Sequence, residues 1–258
     1  MITNYKNLAE NELNLAVCRY LTFPKFINML AYSTIWFSKL NILQDQFEGM
    51  MPTQAKGKML IDSQKWKQVF PENLHPQIDG MADRNEQDGR ELLVVNCWYL
   101  GKTDSPKMWK EYGGGSGGIA INSTIRKLAQ YVYAWPEYSH IGKVKYVDFD
   151  TYEMTPYEAN QAHERAFLKD RKYDGENEVR IVTMNFKHPR CAGMDGEPYT
   201  QEQCSGKNMN NFENPGLYVG IDFGSLVDSV VLAPGSPNWI KNTINKIFKI
   251  SRLVVPIN

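Results

Sequence analysis

The chain has 258 residues, 42% of them hydrophobic and 22% charged, with 29 basic and 29 acidic side chains and no net charge. A chain of this length buries roughly 70–75% of its unfolded surface, and this composition excludes a disordered chain or a fold that depends on staples. Zero net charge gives no global attraction to phosphate, so nucleic-acid binding would rest on a local basic patch.

The first residues, MITNYKNLAE, lack the basic start and apolar run of a secretory signal. No stretch reaches the roughly 18–20 apolar residues that cross a bilayer. The expectation is a cytoplasmic protein with no membrane contact. Cys18, Cys97, Cys191 and Cys204 are scattered, with no C-x-x-C pair and no histidine at ligand spacing. Free thiols and no metal are therefore expected.

In chain order, Thr22 and Pro24 open a helix over 22–31, followed by a β-branched and aromatic strand over 34–38. Residues 50–90 turn polar and read as an insertion, with a helix at 61–70, Pro71 as its stop, and a loop or second helix after Pro76. Apolar runs predict strands at 91–100, 118–121 and 144–149, with a helix at 124–132 between the last two. A helical pattern covers 155–169 and a strand 178–184. Residues 187–215, rich in Gly, Asn, Gln and Pro, read as a long mobile surface loop. The tail predicts a strand at 217–221, an apolar run at 227–232, a helix at 237–250 and a last strand at 253–257. This is one α+β domain spanning 1–258, with its core at about 17–250 and a mixed or antiparallel sheet flanked by helices.

The run from Gly113 to Gly118 satisfies G-x-G-x-x-G, but it leads into a strand and not a helix, so a Rossmann site is not expected. A sharper feature is Tyr173-Asp174-Gly175-Glu176-Asn177-Glu178-Val179-Arg180. Strand alternation would put Glu176, Glu178 and Arg180 on one face. Such a cluster can hold a ribose hydroxyl, stabilise an oxocarbenium-like centre, or form an ion pair that only orients the strand. Arg19, just before the first helix, could clasp a phosphate, though it reads more as one half of an exposed salt bridge. Trp109 and Tyr112, three apart, would share a helix face and could stack on a base, though Trp109 reads more as core. No histidine has a Ser or Cys at nucleophile spacing.

Several segments together resemble the prokaryotic domain-of-unknown-function family twenty-nine seventy-one: Tyr20, Ile35 to Ser38, Asp45-x-Phe47-Glu48, Met108-Trp109-x-x-Tyr112, Gly118 to Ile121, Val144-x-Tyr146, Phe167 to Lys169, and Tyr173 to Arg180. The resemblance covers about 17–250. Gln46 stands where the family usually has Pro, and a Trp expected shortly before the glutamates is absent. The resemblance suggests a setting in mobile elements or defence and implies no proven activity.

The order of parts is also similar to that of ADP-ribosyltransferases, an analogy of architecture. It implies a fold of that kind and NAD as co-substrate, without metal. Glu178 would hold the nicotinamide ribose and stabilise its positive charge, while Glu176 would orient an acceptor or water. Arg19 would bind the diphosphate and Tyr112 would stack on nicotinamide, with Tyr20, Ser38, Trp109 and Arg180 completing the nucleotide site. The acceptor, protein, nucleic acid or water, stays open. Two alternatives are a nucleic-acid binding or processing effector with a basic groove at Lys102, Lys107, Lys110, Lys169, Arg171 and Lys172, and a partner-binding module with a fully paired Glu–Arg cluster and no ligand-sized cleft.

Overall fold

Residues 1–185, 191–192 and 215–258 are described by the computed structural model of the chain. In chain order its elements are β1 (Asn4–Lys6), β2 (Ala16–Thr22), α1 (Phe23–Tyr32), β3 (Thr34–Lys39), α2 (Thr53–Lys67), α3 (His75–Asp79), α4 (Met81–Leu92), β4 (Leu93–Leu100), α5 (Pro106–Tyr112), β5 (Gly118–Thr124) and α6 (Ile125–Tyr131). There follow β6 (His140–Lys143), β7 (Lys145–Val147), α7 (Pro156–Asn160), α8 (Ala162–Arg165), β8 (Leu168–Asp170), β9 (Glu178–Met184), β10 (Cys191–Ala192), β11 (Gly216–Gly220), α9 (Phe223–Leu226), β12 (Ser229–Leu232) and α10 (Asn238–Ser251).

Ten of these strands form one α+β sheet, mostly antiparallel, in the order β1-β6-β9-β4-β2-β5-β12, with a branch from β4 through β3 and β11 to β10. The branch is the feature that makes a site. Strand β2 pairs with β4 only through Val17↔Leu100 and Cys18↔Tyr99, and β3 only through Ser38↔Val95 and Lys39↔Val94. Both run antiparallel to β4, so both compete for the same edge at residues 96–98, and neither takes it. Instead β2 peels away along β5 and β3 along β11. Backbone groups left at such a fork need other partners. Here the Trp36 carbonyl accepts from Asn96 Nδ2 at 2.7 Å and from Arg19 Nη2 at 3.4 Å.

Alternation along the strands sorts side chains to two faces. Val17, Ile35, Phe37, Trp98, Val179 and Ile181 enter the main core, where they meet Phe26 and Met29 of α1 and Leu128 of α6. The stripe Ile240, Ile244 and Phe248, one helical turn apart, fixes α10 on that core. The opposite face carries Val95 and Val182 against Leu40, Ala166 and Phe167, and beside them Glu178 and Arg180.

The predicted helix at 22–31 and the strands at 34–38, 91–100, 118–121, 178–184 and 217–221 stand with small shifts of boundary. The insertion at 50–90 is helical through α2, α3 and α4, starting earlier than expected because Pro52 sets the N-terminus of α2. Three expectations are corrected. The helix at 155–169 breaks at Gln161, whose backbone is extended (φ −99°, ψ 108°), and the chain leaves helix after Arg165, whose guanidinium binds the carbonyls of Gly49, Asn85 and Ala159. Leu168–Asp170 then pairs in parallel with β7, a tertiary contact that overrides a local helical preference. The strand at 144–149 shortens to β7, Lys145–Val147, and β6, His140–Lys143, precedes it where no strand was expected. The last strand, 253–257, reduces to one bridge, Val230↔Ile257, since Pro256 has no N–H to give. A seven-residue strand, β2, went unseen as a strand. The expected loop at 187–215 lies outside the described residues except at 191–192 and 215. Among the described residues no helix is long and apolar enough to cross a membrane.

Candidate functional site

A cavity of about 790 Å³ opens at the fork between β2 and β3. Its walls come from both diverging strands, from α1 and α5, and from the charged end of β9. The Gly-rich run closes one side. Gly114 sits at φ +72°, and a side chain there would meet Thr22 Cγ2, so glycine is required where this turn approaches the start of α1.

Register builds the charged floor. Glu178 lies opposite Tyr99 and Arg180 opposite Cys97, while β8 lies beside β7 with Lys169 opposite Tyr146. The Tyr146 hydroxyl accepts the Glu178 N–H at 2.9 Å, which joins this two-stranded ribbon to the end of β9. Glu178 begins the strand. Glu176 belongs instead to the 3₁₀ turn Arg171–Glu176, so strand alternation does not place it; the left-handed Asn177 (φ 39°) turns the chain so that Glu176 still reaches the same cluster. Asn177 holds that turn by donating to the Leu100 carbonyl at 2.6 Å.

Five ionisable side chains meet there out of water. Arg180 is wholly buried and makes a two-bond clamp on Glu48, Nη1 to Oε2 at 2.6 Å and Nη2 to Oε1 at 2.7 Å. Its Nε donates to Glu178 at 2.6 Å and Nη1 also to the Ala166 carbonyl at 2.9 Å, so every nitrogen of the guanidinium is engaged. Lys169 Nζ bridges Glu176 Oε2 at 2.5 Å and Glu178 Oε1 at 2.7 Å, with Glu48 at 3.5 Å. Tyr112 donates its hydroxyl to Glu176 Oε1 at 2.9 Å.

Burial disfavours charge on every member, and the neighbours decide who keeps it. For Glu178 burial is outweighed by Arg180 and Lys169, and its carboxyl lies well below the usual range. For Glu176 burial and the adjacent Glu178 prevail over Lys169 and push its pKa up to about 7. Burial pulls on Lys169, but Glu178 and Glu48 hold it above its ordinary value. Burial pushes the Cys97 thiol up to about 12, which keeps it protonated and inert.

The structure brings Arg19, Tyr20, Ser38, Tyr112, Glu176, Glu178 and Arg180 to this one cavity. Their states differ. Arg19 has no carboxylate partner, its Nη1 is buried without a hydrogen bond, and burial lowers its pKa to about 10. Thr34 Oγ1, on the same cavity, is also buried and unpartnered. Ser38 Oγ accepts from Trp36 Nε1 at 2.9 Å. Four of the five Arg180 N–H groups are taken by Glu178, Glu48 and the Ala166 carbonyl and the side chain is wholly buried, so its part is to hold Glu178 and Glu48. Trp109 does not line the cavity; its N–H binds the Thr103 carbonyl at 2.9 Å and Tyr20 packs edge-on at 4.8 Å between ring centres. The expected stacking pair is thus reduced to Tyr112.

Two members were not foreseen as site residues. Glu48 stood in a noted motif, but nothing local tied it to Arg180, 132 positions away. Lys169 was assigned to an exposed basic groove and is in fact buried at the centre of the cluster. Among the described residues no group of His, Cys, Asp and Glu is arranged to hold a metal ion. No family model matches the chain, and no curated protein does.

Proposed function

We propose that the fork is a nucleotide site and that the protein consumes NAD, as an ADP-ribosyltransferase or NAD glycohydrolase of the kind the order of motifs suggested. One observation carries the reading. Three segments far apart in sequence, Arg19 on β2, Ser38 on β3 and Glu176–Glu178 at the start of β9, line a single cavity where the sheet splits. The chemistry of the donors fits the ligand. Arg19, a cation with an unpartnered buried N–H, suits a diphosphate, and buried polar atoms are otherwise almost always paired. Thr34 Oγ1 offers a further hydroxyl for the phosphates or ribose. At the opposite end Glu178, held ionised by two cations, would face the ribosyl carbon as positive charge develops there. Tyr112, 39% exposed at the rim, would flank the nicotinamide ring.

The test is nicotinamide release from NAD, followed by mass spectrometry, with and without cell extract. The wild type releases nicotinamide and Glu178→Gln releases none while keeping its fold. Equal release by both proteins removes the reading, and so does release by neither.

A second reading, binding or processing of nucleic acid, is favoured by the cations about the cleft. Lys102, Lys107, Lys110, Arg171 and Lys172 are exposed. Lys110 lines the cavity, and Lys172 lies over the Tyr173 ring at 5.0 Å. Oligonucleotide affinity that falls steeply with salt would support it.

A further inference from the structure

The cluster at the foot of the cleft holds Glu48, Glu176 and Glu178 against Lys169 and Arg180 only, three carboxylates to two cations. An excess negative charge away from water is costly, and such a site relieves it by keeping a proton on the carboxylate with the poorest pairing. The distances say which that is. Glu48 receives two guanidinium bonds, Glu178 receives one guanidinium and one ammonium bond, and Glu176 shares the ammonium and otherwise has only a neutral phenol. Glu176 is also the member in contact with the rim, through the half-exposed Tyr112.

We propose that the cluster holds the two glutamates in unlike charge states, with Glu178 a permanent carboxylate and Glu176 the proton carrier of the site, and that Lys169 is the positioning residue that keeps the Glu176 proton exchangeable near neutral pH. Lys169 binds both carboxylates at once, and Arg180, which binds Glu178 and not Glu176, tips the negative charge toward Glu178. The other titratable groups around the two glutamates leave this assignment intact. The Cys97 thiol of β4 and the Tyr146 phenol of β7 are held protonated by burial, Tyr173 lies under the Lys169 ammonium, and Lys107 of α5 lies beside Gly175 at the surface.

The use of that proton rests on the NAD reading. The acceptor's O–H bond breaks as its proton passes to the Glu176 carboxylate, and the freed oxygen electron pair bonds to the ribose C1. The C1–N electron pair leaves with neutral nicotinamide, and Glu178 offsets the positive charge between these events. Glu176 then returns the proton to solvent past Tyr112.

The charge assignment is tested without any reaction. Carbon-13 NMR of protein labelled at glutamate carboxyls should show one group titrating between about pH 6 and 8, absent from Glu176→Gln. Lys169→Met should move that titration upward by more than about one unit, and Lys169→Arg should restore part of it. If Lys169→Met does not fold, Tyr112→Phe, which removes one hydrogen bond at the rim, should move it upward by less. A wild type with no such titration, a titration that persists in Glu176→Gln, or one unmoved by both Lys169→Met and Tyr112→Phe overturns the proposal. Where nicotinamide is released, its pH profile should rise with the same titration and shift with it in the same variants. A titration that behaves as stated in a protein that releases no nicotinamide would remove the NAD reading and keep the charge assignment.

Discussion

Arg180, Arg165 and Arg19 all hold guanidinium atoms out of water, and the fold treats them in three ways. Arg180 gives four of its five N–H groups to two carboxylates and a carbonyl. Arg165 instead ties together three neutral carbonyls, those of Gly49, Asn85 and Ala159. Arg19 makes one long bond to Trp36 and leaves Nη1 with nothing. A buried cation whose nitrogens are all engaged is part of the frame, and one with a nitrogen to spare is a place where a ligand can be recognised.

The comparison predicts a graded series. Arg180→Met should cost the most, about 3–5 kcal/mol in urea denaturation, because it strands Glu48 and Glu178 without their shared cation. Arg165→Met should cost less, about 2–4 kcal/mol, since it leaves neutral carbonyls unpaired, and should loosen the insertion, where Arg165 joins Asn85 of α4 to Gly49.

The carboxylates divide as the arginines do, and pH exposes this. Folding lifts Glu176 from its ordinary 4.5 to about 7, so its contribution is full below about 4.5 and is lost as pH rises through about 7. The stability difference between the wild type and Glu176→Gln, measured by denaturation, should therefore fall by about 2–3 kcal/mol across that interval, whereas the half-buried His140, lowered to about 4, acts on both proteins alike. Glu178, held low, acts in the opposite sense; its contribution is present above its unfolded value and is lost on acidification below it.

Arg19→Met should have the smallest effect on stability, within about 1 kcal/mol, because Trp36 keeps its bond from Asn96. On the proposed NAD reading, it should nevertheless weaken NAD binding, measured by calorimetry, about tenfold or more. A loss of stability as large as that of Arg180→Met would break the comparison and make Arg19 part of the frame.

Much of this was legible in the sequence, for reasons that differ by residue. The strand Glu178–Met184 and its Glu-x-Arg face follow from alternation alone, which requires only that one face be buried. Pro24 and Thr22 mark the start of α1, and β-branched and aromatic residues mark β3 and β4. Strand β2 was obscured because Arg19 interrupts its apolar face, and that interruption is the site residue itself. Lys169 was misread because the pattern over 155–169 is locally helical, and only pairing with β7 draws its end into a strand.

By itself, then, the sequence determined the α+β class, the main strands and helices, and the identity of two glutamates and an arginine as a cluster. These rest on neighbours within a few positions, where period and backbone preference act. Tertiary structure decided the fork of β2 and β3 about β4, the closure of Glu48 on Arg180 and the burial of Lys169 between Glu176 and Glu178. Those depend on which strands win an edge and which charges are taken out of water together, and both are settled between residues that lie far apart along the chain.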